Sequence, residues 1–222
     1  MKCRNCQTDI IENLTLIEWF KTPEVLCFRC EQQFSRLKGK ITCPGCGRIN
    51  DGELCADCQR WQKIQGYTLQ NQALFAYDEG FQQWVEAYKF KGDYRLRKAF
   101  ARELKQELRN YSDFLFCPIP LSKERFSQRG FNQVIACLEA DDCSYKILLE
   151  RKKDDRPQSM KNRFERLQMP QPYKLKGDES KIKDKKILII DDVYTTGRTL
   201  FHASEILYKN GAKAVQSLTF AR

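Results

Sequence analysis

The chain has 222 residues and a formal charge of +10, from 39 Lys and Arg against 29 Asp and Glu. Its length suits one sizeable core plus a small accessory module. No apolar run approaches membrane-spanning length and Met1-Lys2-Cys3 begins no secretory signal, so the expected location is cytoplasmic. The basic excess admits a polyanionic partner, nucleic acid or a phosphorylated metabolite, without requiring one. The 11 cysteines would be disulfide material in a secreted protein; in a reducing compartment they read as metal ligands wherever the spacing fits.

The spacing fits at once. Four CxxC pairs stand in a row: Cys3/Cys6, Cys27/Cys30, Cys43/Cys46 and Cys55/Cys58. A two-residue gap lets both thiolates of a turn reach one tetrahedral ion, and two such turns complete a four-thiolate zinc site. Cys43-Pro44-Gly45-Cys46-Gly47 has the composition of a zinc knuckle. Sequential pairing gives Cys3, Cys6, Cys27 and Cys30 one ion and Cys43, Cys46, Cys55 and Cys58 another. A crossed pairing is the alternative, and the sequential one closes shorter loops. Metal binding would then supply much of this segment's folding energy. Residues 1–65 are therefore expected as a double zinc-binding module, with ten basic against eight acidic residues and no dense basic face. Cys117, Cys137 and Cys143 fall outside the pattern and read as ordinary packed thiols.

Residues 59–66 read as a linker ending at Gly66, and 66–222 as an α/β domain. Gln72–Tyr77 is expected as a strand, with Glu79-Gly80 as its turn. Phe81, Trp84, Val85 and Tyr88 recur at helical spacing and form one apolar face. Asp93 can cap a second helix that turns Leu96, Phe100, Leu104 and Leu108 inward. Lys89 and Lys91 bracket Phe90 and are as readily solvated lysines as phosphate contacts. Phe114–Ile119 is expected as a short buried strand, ended by Pro118 and Pro120. It feeds a loop, Leu121–Gln133, that carries Lys123, Arg125 and Arg129 ahead of a helix through about Ala140. Tyr145–Leu149 is another strand candidate. Residues 151–166 hold seven Lys and Arg against three Asp and Glu, and read equally as a basic loop able to close on an anion or as a solvated helix. After the polar connection Gly177–Lys185 come the strand Lys186–Ile190, a helix closed by Asn210-Gly211, and a last strand Ala214–Phe220. Strands alternating with helices imply a parallel α/β sheet flanked by helices.

The densest chemical signal is KILIIDDVYTTGRTL, Lys186–Leu200. In a parallel sheet, ligands lie beyond the carboxyl ends of the strands, where Asp191 and Asp192 fall. The turn Thr195-Thr196-Gly197-Arg198-Thr199 then opens a helix, whose first amides and dipole favour a phosphate. Neither a Walker loop nor a GxGxxG fingerprint is present, which disfavours an ATPase or a dinucleotide enzyme. The only histidine, His202, sits inside the following helix and reads as a packing residue.

This segment resembles the phosphoribosyl pyrophosphate (PRPP) motif of type I phosphoribosyltransferases. The resemblance implies that Asp191 and Asp192 hold ribose hydroxyls, with Mg²⁺ where PRPP brings it, and that Thr195, Thr196, Gly197, Arg198 and Thr199 hold the 5′-phosphate. It places pyrophosphate by the loop after Ile119-Pro120, with Arg125 and Arg129 beside Asp191 and Asp192 as the catalytic candidates. The N-terminal CxxC array, YKFKGDYRLRK, PIPLSKERFSQRGFNQ and IDDVYTTGRTL together resemble the ComF family of late-competence proteins over nearly the whole chain. That family implies a type I phosphoribosyltransferase-like fold with an N-terminal zinc ribbon, and a cytosolic role in handling incoming single-stranded DNA. Implied partners are a ComFA-type helicase ATPase and, as a further candidate, the recombination mediator DprA. An active phosphoribosyltransferase of unknown acceptor is the alternative. No segment after the last strand reads as a hood over a nucleobase.

Overall fold

The structure, a computed structural model, describes residues 2–3, 6–10, 25–152 and 171–222. Its centre is a sheet of four parallel strands in the order β1-β6-β5-β2: β1 (Asn71–Phe75), β6 (Ala214–Ala221), β5 (Lys186–Val193) and β2 (Phe114–Pro118). All four carboxyl ends therefore lie along one edge. Ile187, Leu188, Ile189 and Ile190 are each fully buried, because the sheet is covered on both faces. This is why β5 reads as an unbroken apolar run rather than an alternating one.

Leu188, Ile190, Leu218 and Phe220 look to one face. There they meet α2 (Glu79–Val85), α3 (Ala101–Leu108) and α5 (Gln133–Glu139). The helical pattern expected for this face holds: Phe81, Trp84, Val85, Tyr88, Leu96, Phe100, Leu104 and Leu108 are all buried. Asp93 caps a 3₁₀ turn, Tyr94–Lys98, ahead of α3. Ile187, Ile189 and Val215 look to the opposite face and meet Leu200, Phe201, Ala203 and Leu207 of α6 (Arg198–Lys209). A two-stranded antiparallel ribbon, β3 (Leu149–Arg151) with β4 (Tyr173–Leu175), adjoins this side.

Four expectations change. Residues 59–66 are no linker: α1 (Ala56–Gln65) runs to Gln65 and ends on Gly66, whose φ of 78° suits a left-handed cap. The segment is rich in helix formers, and its Trp61 stacks on Phe201 with centroids 4.4 Å apart. Glu79-Gly80 opens α2 rather than turning a hairpin, since Asp78 accepts the Phe81 amide and caps the helix. Gly80 is required there by a close approach: a Cβ would collide with the Gln33 carbonyl oxygen. The expected loop Leu121–Gln133 holds α4 (Lys123–Arg129), capped by Ser122 and closed by Gly130. The strand expected at Tyr145–Leu149 instead runs Leu149–Arg151, where its antiparallel partner lies. The basic stretch 151–166 falls outside the described residues beyond Lys152. Among the described residues no helix is long and apolar enough to cross a membrane.

Candidate functional site

Asp191 and Asp192 stand near the carboxyl end of β5, beside the carboxyl end of β2. Neighbouring strand residues face opposite ways, so the two carboxylates meet different surroundings. Asp192 pairs with Lys89, Oδ2 to Nζ 2.5 Å, and both side chains are largely buried. Lys89 reaches it because α2 runs on into a π-helical turn, Glu86–Phe90, which leaves Phe90 exposed. Asp191 accepts the Asp192 amide at 2.9 Å. Loss of solvation pushes its carboxyl up to about 7, and the neighbouring Asp192 charge pushes the same way.

The RGFNQ segment, Arg129–Gln133, sets the cationic side. Gly130 ends α4 at a φ of 75°. Asn132 then caps α5 through the Val134 and Ile135 amides, and its own side-chain amide donates to the Ile119 carbonyl at 2.9 Å. Gln133 accepts from Arg129 Nη1 at 3.0 Å, while Tyr88 Oη donates to the Gln133 carbonyl at 2.9 Å. The Arg129 guanidinium lies over Phe90, 5.7 Å from the ring centre. Partial burial lowers its pKa, opposed by the Asp192 charge. Arg125 acts electrostatically on Asp191. Lys89 thus pairs with the acids directly, and Arg125 and Arg129 add positive charge that acts on them.

Thr195–Thr199 follows β5 and turns into α6, with Gly197 at a φ of 78° as the residue before the helix. Thr195, Thr196 and Thr199 are exposed. The first amides of α6 look along its axis at the same sheet edge, a donor set and dipole suited to an anion. His202 accepts from Arg198 Nε at 3.3 Å, and burial lowers its pKa, consistent with a packing role.

The cysteines gather in the sequential arrangement. Cys3, Cys6, Cys27 and Cys30 form one group, Cys43, Cys46, Cys55 and Cys58 the other, each with its sulfurs within 4.8 Å of one another. Sulfur contacts of 3.6 Å, Cys6 to Cys27 and Cys46 to Cys55, match the ~3.8 Å edge of a tetrahedral zinc site. All eight donors are soft, and both groups fit structural zinc. Hydrogen bonding with Thr8 holds Cys6 down to about 6, and hydrogen bonding with Cys58 holds Cys46 down to about 4. Cys117 and Cys137 are buried thiols pushed up to about 12 by desolvation.

The second group is built into the sheet. The backbone amide of Asn71, on β1, donates to the Gly45 carbonyl at 2.8 Å. Its side chain donates to the Cys46 carbonyl and to Thr219 Oγ1, each at 3.1 Å. A Cβ on Gly47 would lie 3.1 Å from the Asn71 carbonyl oxygen. Sequence reasoning missed Trp61, Asn71, Tyr194 and Arg222 around this group. A lone tryptophan in a polar segment and an asparagine opening a strand were the available signals.

The phosphoribosyl transferase domain family matches residues 99–222. The chain is 39% identical over 225 residues to Competence protein ComFC of Streptococcus pneumoniae (strain ATCC BAA-255 / R6), covering 100% of both chains. It is 33% identical over 233 residues to Competence protein ComFC of Bacillus subtilis (strain 168), covering 99% of this chain and 94% of that one. Among solved structures, the allosteric regulatory enzyme of purine biosynthesis aligns with 61% of this chain and 30% of its own, at 15% identity and a TM-score of 0.41.

Proposed function

We propose, since this chain belongs to the ComFC family of competence proteins, that it assists the uptake and cytosolic handling of transforming single-stranded DNA and binds PRPP or a related sugar phosphate at the edge of its sheet. One observation carries the pocket: an acid pair at the end of β5 is followed directly by a threonine-glycine turn at a helix start, with Lys89 paired to Asp192 and the charges of Arg125 and Arg129 acting on the acids. Asp191 and Asp192 take the ribose hydroxyls. Their oxygens are also the hard donors that Mg²⁺ carried by a pyrophosphate prefers. Thr195, Thr196, Gly197, Arg198 and Thr199 take the 5′-phosphate through backbone amides and hydroxyls. Arg125 and Arg129 offer planar donor forks to the pyrophosphate oxygens.

Zinc in the two cysteine groups is structural, and the donor sets leave no open position. The protein works in the cytoplasm, with a ComFA-type helicase ATPase as its first partner and DprA as a candidate second. Its basic surface contacts DNA phosphates, so single-strand affinity falls steeply with salt.

A second reading, transfer of the ribose phosphate to a nitrogen acceptor, is favoured by the family match and by Asp191, whose carboxyl near 7 suits proton transfer at neutral pH. Titration of the zinc-loaded chain with PRPP and Mg²⁺ tests the pocket. Replacing both acids, Asp191→Asn with Asp192→Asn, is expected to weaken binding by about 100-fold or more, the scale of removing a charge-assisted hydrogen bond at each of two positions. Equal binding by the double variant contradicts it. Pyrophosphate released over candidate bases, and abolished by the same pair, selects the transferase reading.

A further inference from the structure

The side chain of Arg222, the residue after β6, is only 6% exposed, yet it lies outside the acid pair and its cations. Its Nη1 donates to two consecutive carbonyls at the head of the candidate phosphate turn, Tyr194 at 3.2 Å and Thr195 at 2.9 Å. Its guanidinium lies 4.6 Å from the Tyr194 ring centre. The other two nitrogens, Nε and Nη2, are buried without a hydrogen-bond partner among the described residues. Asp57 stands 3.9 Å from Nη2 and is half exposed. A buried guanidinium with two unmet donors calls for an anion. The anions at hand are the half-exposed Asp57, which lies on α1 between Cys55 and Cys58, and the cysteine group itself.

The third carbonyl of the turn is held from the same side. Trp61 Nε1 donates to Thr196 at 2.7 Å, and Trp61 lies one helical turn beyond Cys58 on α1. Tyr194 fills the space between. Its electrostatic neighbours include Cys58 and Cys46, and its hydroxyl lies so close under Gly197 that a Cβ there would collide with it. The carbonyls of Tyr194, Thr195 and Thr196 are therefore all anchored by groups tied to the second cysteine group. That leaves the opposite side of the turn to a ligand.

We propose that Arg222 and Trp61 are positioning residues that couple the metal-loaded group Cys43, Cys46, Cys55 and Cys58 to the turn Thr195–Thr199, so that the state of this one group sets the affinity of the turn for a sugar phosphate. Four thiolates around a divalent ion carry a net charge of −2, which adds to the single, half-exposed counter-charge that Asp57 offers the buried guanidinium. The proposal rests on the pocket reading above.

The test uses the full zinc-loaded chain and two readouts: amide hydrogen exchange of Tyr194–Thr199, and titration with PRPP and Mg²⁺. Arg222→Gln keeps every cysteine and removes the charged fork. It is expected to retain both zinc ions, to speed exchange in the turn about tenfold, and to weaken PRPP by a similar factor, the scale of removing one charge-assisted hydrogen bond. Trp61→Phe keeps the stacking and removes the donor; a several-fold weakening with zinc retained is expected. Cys55→Ser is expected to reproduce the faster turn exchange of Arg222→Gln, and the double variant to add little, the signature of one shared pathway. Unchanged exchange in Arg222→Gln overturns the coupling even if PRPP binds normally. Faster exchange in a chain that never binds PRPP upholds the coupling and removes the pocket reading instead.

Discussion

The two cysteine groups share a motif and lie on opposite faces of one sheet. The first belongs to the cluster under α2 and α3, where Cys3 and Cys30 pack with Phe34 and Phe81 while Cys6 stays exposed. The second belongs to the cluster under α6, with Cys43, Cys46 and Cys58 buried beside Leu69, Tyr194 and Phe201. The second is bolted to the strands at its own knuckle, through Asn71, and among the described residues only it adjoins the phosphate turn, through Trp61 and Arg222. The same ligand spacing thus serves two ends: a cap over one hydrophobic face, and a support beneath a candidate binding site.

The largest expected contrast comes from emptying the second group. Cys58→Ser should release one zinc ion, unfold the knuckle and abolish detectable PRPP binding, because the metal carries much of the segment's folding energy. Zinc release assayed with a chromogenic chelator, followed by PRPP titration, checks this. Normal PRPP binding after zinc release would erase the distinction between the groups.

Asn71→Ala should follow. It strands the Cys46 carbonyl and Thr219, and removes one of the two acceptors of the Ser217 hydroxyl, which reaches Asn71 Oδ1 at 2.9 Å and the Gln70 carbonyl at 3.3 Å. A stability decrease of about 3 kcal/mol is expected in urea unfolding, from the cost of unmet buried partners.

A pH series sharpens the comparison at the site itself. Asp191 sits near 7 when folded, against about 3.9 unfolded. The folded chain then binds more protons than the unfolded one between those values. The contribution of Asp191 to stability is complete at low pH and is lost as pH rises through about 7. Asp191→Asn should remove that slope from unfolding curves taken between about pH 4 and pH 8 in the ligand-free chain; an unaltered slope would mean that the carboxyl titrates normally.

The smallest effect is expected from Cys6→Ser. It should release one zinc ion from the first group, yet lower the melting temperature less than Cys58→Ser, because its thiol is exposed and the phosphate turn lies on the other face. A melting point at or below that of Cys58→Ser would reverse the ranking.

Much of this organisation is legible in the chain. The CxxC spacing yields the sequential grouping, because local pairs close the shortest loops. The run Lys186–Asp192 yields both a doubly covered strand and the acids at its end. Boundaries are less legible where a polar segment gains structure from distant contacts. α1 looks like a linker until Trp61 meets Phe201, and α4 looks like a loop because its seven residues bury none of their number. Lys89 is indistinguishable from a solvated lysine until the π turn aims it at Asp192. Arg222 has no local pattern at all. Its role comes from the parallel pairing that sets the end of β6 beside the end of β5.

One measurement goes to the centre of these assignments: amide exchange across Thr195–Leu200 in the zinc-loaded chain, with and without PRPP and Mg²⁺. If this turn cradles the 5′-phosphate, its amides should slow by about tenfold or more on saturation, as expected for donors taken up by a bound anion. Binding of PRPP with no protection at this turn would contradict the assignment.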